Sequence, residues 1–60
     1  MDDNRMWTVP WRIPAEDGQD EVRGEEVVMC SDEADSYRQV AYLVRRLYGD
    51  VSVVCGQARG

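Results

Sequence analysis

The sequence predicts a small single-layer α+β domain of ββαβ order, with a three-stranded sheet at 7–13, 25–30 and 51–55 covered on one face by one helix at 32–48. Three observations carry this expectation. Trp7, Val9, Trp11 and Ile13 alternate with Thr8, Pro10, Arg12 and Pro14, the period-2 pattern of a half-buried strand. The stretch Ser31 to Gly56 has an acidic start, an apolar stripe at helical spacing, a basic last turn, a glycine stop and then a β-branched run. The chain of 60 residues is short enough for one domain at most, and at that size only ~60% of the unfolded surface is buried, so the core is thin.

Residues 1–5 and 57–60 read as flexible tails. In the first strand Pro10 has no N–H for a ladder, which predicts an edge strand with the missing donor facing outward. Both tryptophans fall on the apolar side, where their area belongs to a core. The acidic loop 15–22 follows. Asp17-Gly18 suits a turn, and a two-residue hairpin could close there, although the charge density favours a longer connection. The second strand sets Glu26, Val28 and Cys30 on one face and Glu25, Val27 and Met29 on the other, and its continuous apolar end, Val27 to Cys30, implies burial there.

Ser31 or Asp32 is the expected N-cap, with Asp32, Glu33 and Asp35 complementing the helix dipole. At 100° per residue, Tyr37, Val40, Ala41, Val44 and Tyr48 form the core stripe, flanked by Leu47, with Asp35, Arg38, Gln39, Tyr42, Arg45 and Arg46 opposite. Gly49 fits the left-handed C′ position. Val51–Cys55 is the third strand. The second strand, helix and third strand then form a right-handed crossover with those strands parallel, and the first strand pairs antiparallel with one or the other. One helix leaves the second sheet face open, with Val27 or Val28 and Val53 or Val54 on it, which suggests a homodimer or partner surface.

No motif in the chain identifies an activity. There is no His, no Lys and no Gly-rich phosphate loop, and no pair of carboxylates is set apart for acid/base work, so no catalytic residue, cofactor or metal ligand is expected. Cys30 and Cys55 both end strands expected to be parallel. A disulfide would follow only if those strands were adjacent, and two reduced, buried thiols suit a cytoplasmic chain. No apolar run reaches the ~20 residues of a membrane span.

Charge layout is the remaining signal. Up to Ser36 there are eleven acids and three arginines, a net −8; from Tyr37 there are four arginines and one acid, a net +3, which together give the −5 of the chain. Two readings follow. In the first, Glu16, Asp17, Asp20, Glu21, Glu25, Glu26, Asp32, Glu33 and Asp35 form an acidic surface for a basic protein site that otherwise holds nucleic acid. In the second, the helix face of Arg38, Tyr42, Arg45 and Arg46 contacts nucleic acid or an acidic partner. The acidic half disfavours direct nucleic-acid binding. In size and charge the chain resembles phage and mobile-element inhibitors, anti-CRISPR proteins among them. That resemblance implies a non-enzymatic inhibitor that occupies a basic site on a host protein.

Overall fold

The structure, a computed structural model, describes residues 4–60. It is an α+β fold: an open antiparallel sheet of β1 (Arg5–Ile13), β2 (Val22–Cys30) and β3 (Val54–Cys55), and one helix, α1 (Glu33–Tyr48). The sheet order is β2-β1-β3.

The dominant unit is one long hairpin. Its register runs unbroken from Arg5↔Cys30 through Ile13↔Val22, and the bridge Glu16↔Gln19 keeps the same register beyond the strands. Glu16 and Gln19 exchange both backbone hydrogen bonds around Asp17-Gly18, with Gly18 at φ 80°. The acidic loop therefore closes in two residues instead of forming the longer connection its charge suggested. Four carboxylates at the tip repel weakly in water, and a glycine that adopts positive φ without strain outweighs them.

The structure corrects the expectation drawn from Pro10. β1 is the central strand, not an edge. The Pro10 carbonyl accepts from Gly56 N–H at 2.8 Å, and Thr8 and Arg59 exchange both backbone bonds at 2.8 and 2.9 Å. In an antiparallel ladder the N–H and C=O of one residue point to the same side, so the missing Pro10 donor faces the segment 54–59. That segment is bulged: Trp11 pairs with Cys55 and Thr8 with Arg59, three steps on β1 against four on the other side. The bulge carries the chain past the position where no donor exists.

The same pairing overturns the expected tail at 57–60. Ala58 is buried in the core and Arg59 sits in the ladder. Of the other expected tail, residues 1–3 lie outside the described residues, and Arg5 already belongs to β1. The third strand is shorter than predicted, because Val51 is occupied elsewhere: its N–H bonds the Gly49 carbonyl and its own carbonyl accepts from Arg45 Nε. β2 and β3 do run parallel, as expected, but β1 lies between them. Cys30 pairs with Arg5 and Cys55 with Trp11, six residues along β1, or about 20 Å. The two thiols are at different ends of the sheet and free, which removes the conceivable disulfide.

The core lies between α1 and one sheet face. Trp7, Val9, Trp11 and Ile13 from β1 meet Val28 and Cys30 from β2, Val40 and Val44 from α1, and Ala58. Trp7 Nε1 donates to the Cys30 carbonyl at 3.2 Å. Asp32 is the N-cap, its Oδ1 accepting from Asp35 N–H at 2.7 Å. Gly49 ends the helix at φ 91°, ψ −158°, a conformation open to glycine but outside the expected left-handed helical well; its N–H still bonds the Arg45 carbonyl.

The buried helix stripe is Ser36, Val40 and Val44. At 100° per residue Leu47 falls within the arc of these three and Tyr48 about 40° beyond Val44, so the face alone does not decide burial in the last turn. Leu47 is 73% exposed, so its expected core role fails. Tyr48, half exposed, still reaches the Trp11 ring at 5.8 Å. No helix among the described residues is long and apolar enough to cross a membrane.

Candidate functional site

The hairpin makes the molecule long, with extents of 47 × 18 × 14 Å and a radius of gyration of 12.2 Å, where a compact chain of this length would give about 10 Å. α1 reaches only to the level of Trp11, and Ile13 is the last buried residue of β1. Asp17 lies four residues further on, about 13 Å at 3.3 Å per residue. Residues 15–21 are all exposed. The tip is a finger extending past the core.

The nine expected acidic residues do not form one surface. Glu16, Asp17, Asp20 and Glu21 are gathered on the finger. Asp32, Glu33 and Asp35 open α1 just after Cys30, at the far end of the hairpin, about 36 Å from Gln19 at 3.3 Å per residue. These three are also occupied: Asp32 caps α1, Glu33 accepts from Tyr37 Oη at 3.0 Å, and Asp35 accepts from Gln39 Nε2 at 3.1 Å. Glu25 faces the open side of the sheet and pairs with Arg59 at 2.8 Å. Glu26 lies opposite Val9, half-buried, on the core side.

On the finger, Glu21 stands apart from its neighbours. It accepts from Arg23 Nε and from Arg12 Nη1, so two guanidiniums converge on one carboxylate. The Arg23 hydrogen bond holds Glu21 below its ordinary 4.5 against the opposing effect of burial, and the two positive charges add to the lowering. Glu16, Asp17 and Asp20 have no ion-pair partner among the described residues. The arrangement is thus a closed turn bearing three free carboxylates above an Arg–Glu–Arg brace. Nothing in the spacing of Arg12, Glu21 and Arg23 along the chain marks this brace; only the hairpin register brings Arg12 opposite Arg23.

The arginine face is mostly committed to structure. Arg45 Nε donates to the Val51 carbonyl at 3.2 Å and so fastens the loop after α1. Arg46 lies 5.9 Å over the Tyr42 ring and donates to its hydroxyl at 3.2 Å. Arg38 alone of the three has no partner among the described residues; with Gln39, Tyr42 and Leu43 it borders a shallow hollow of about 250 Å³. The two thiols are poor nucleophiles: burial pushes both above their ordinary 9.0, and the Asp35 charge adds to this at Cys30.

The open sheet face carries what the sequence half-resolved. Met6, Val27 and Met29 are exposed there at 61%, 52% and 60%, with Val54 at 40%, while Val28 is buried. No family model, curated protein or solved structure matches the chain.

Proposed function

We propose that the protein is a non-enzymatic binding module whose acidic finger enters a basic cleft on another protein, of the kind that holds a nucleic-acid backbone. The reading takes the chain as cytoplasmic and as an inhibitor of the phage or mobile-element, anti-CRISPR-like class. One observation supports it above the others: three free carboxylates sit on a closed two-residue turn about 13 Å beyond the core. A ready-formed turn loses little conformational freedom on binding, and its charge steers approach to a cationic groove. The brace through Glu21 keeps Arg12 and Arg23 from folding over the free acids.

The test combines Glu16→Gln, Asp17→Asn and Asp20→Asn. Each exposed charge pair contributes ~0.2–1 kcal/mol, so the triple variant should bind a basic partner roughly 3- to 150-fold more weakly. Immobilised wild-type chain should retain basic nucleic-acid-binding proteins from host extract, release them with salt or heparin, and lose them in the triple variant. Retention of no basic protein, or retention indifferent to salt, refutes the proposal. The second reading, an anion-binding helix face, has Arg38 as its one free guanidinium among the described residues; a gel shift abolished by Arg38→Ala would favour it.

A further inference from the structure

The two edges of the sheet are treated differently by the sequence. The β3 edge is two residues long, irregular and bulged opposite Pro10, features that blunt an edge against further pairing. The β2 edge is nine residues long and straight in register.

The direction of its free backbone groups follows from the bonds already described. Thr8 and Pro10 point their polar groups toward the segment 54–59, so Trp7, Val9 and Trp11 point theirs toward β2. Their partners Val28, Glu26 and Gly24 return those bonds. Arg23, Glu25, Val27 and Met29 therefore present N–H and C=O outward, and none of these four has another backbone partner among the described residues. Their side chains stand on the open face, where Val27 and Met29 lie beside Met6. Edge strands that stay single are guarded by charge or proline. The half Arg23–Glu26 has such charges; the half Val27-Val28-Met29-Cys30 has no charge and no proline.

We infer that a second copy of this chain pairs with the β2 edge, antiparallel across a two-fold axis, to make a continuous six-stranded sheet. The reading is independent of the acidic finger. A two-fold axis asks only that the edge complement itself. An axis beside Val28 sets Val27 of each copy against Met29 of the other and Glu25 against Ser31, so no charge meets its own kind. Each copy supplies the donors and acceptors the other lacks, and the patches of Met6, Val27 and Met29 join into one. An axis beside Glu25 would instead oppose two Glu25 carboxylates, which is unfavourable.

Sedimentation equilibrium over a range of protein concentrations, with amide hydrogen exchange, tests this. The expected result is a monomer–dimer equilibrium that tightens with salt, because each copy carries −5, and slowed exchange at Val27 and Met29 only as dimer forms. Val27→Pro removes an outward N–H without touching a bond to β1, and should give a monomer with unchanged circular dichroism. Should that variant unfold, Met29→Lys at an exposed position decides, and should also be monomeric. The triple finger variant should dimerise like the wild type, which separates this inference from the proposed function. A strict monomer with freely exchanging Val27 and Met29 amides overturns the inference. A dimer that survives Val27→Pro or Met29→Lys overturns it equally.

Discussion

Replacing Gly24 by alanine tests the closest approach in the core. Trp11 and Gly24 are partners across the β1–β2 ladder, and the indole occupies the space a side chain at 24 would take. A Cβ there would lie 2.5 Å from Trp11 Cζ2 and 2.8 Å from Cε2. Carbon atoms in contact prefer ~3.5–4.0 Å, so the ring must move by about an ångström. Trp11 is buried and its ring already stands 5.8 Å from that of Tyr48, so the movement disturbs packing on both sides. Overpacking costs ~1–3 kcal/mol, and the lower backbone entropy of alanine returns ~0.5–1, leaving a net loss of about 1–2 kcal/mol. In a domain this small each kcal/mol moves Tm by ~4–8 °C, which gives a drop of about 5–15 °C. Far-UV circular dichroism reads the melt, and the near-UV band reads the tryptophan environment. Trp11→Phe in the alanine background should recover part of the loss, since the smaller ring clears the new methyl and removes an indole N–H that is buried without a partner. An unchanged or higher Tm with an unchanged near-UV band would show that the indole does not rest on Gly24.

Two further outcomes follow from local interactions. Asp32→Ala removes the side-chain acceptor that caps α1 and should lower stability by ~1 kcal/mol in urea unfolding, whereas Asp32→Ser should restore most of it. Glu21 has its folded pKa lowered from 4.5 by Arg23 and Arg12, so the brace stabilises above that value and weakens as pH falls through the lower folded one. The urea midpoint of the wild type should decline below pH 4.5 more steeply than that of Glu21→Gln; identical slopes would mean that the brace contributes nothing.

The parts of the fold legible in the sequence are those settled by near neighbours. The Asp32 cap, the stop at Gly49, the turn pair Asp17-Gly18, though not its closure in two residues, and the inward run of Trp7, Val9, Trp11 and Ile13 each depend on residues a few positions apart. Strand order does not. Pro10 announces a missing donor but not where it points, and a bulge near Gly56 makes an inner position tolerable. Val51 and Val53 have the β-branched chemistry of a strand, but Arg45 and Gly49 take up the Val51 backbone first. The charge sum was legible for the same reason that its arrangement was not. Counting acids cannot separate Asp17, on a free tip, from Glu33, tied to Tyr37, or from Glu21, held by two arginines.

The central position of β1 has a kinetic consequence. The long hairpin and α1 are built from contacts close in sequence and can form early. The other side of β1 is filled only when Arg59 reaches Thr8, a pairing between residues 51 positions apart in sequence. Until then Ala58 is outside the core and the central strand has a bare flank. By sequence separation, completion of the sheet is thus the late event of folding, and residues 58 and 59 act as its latch.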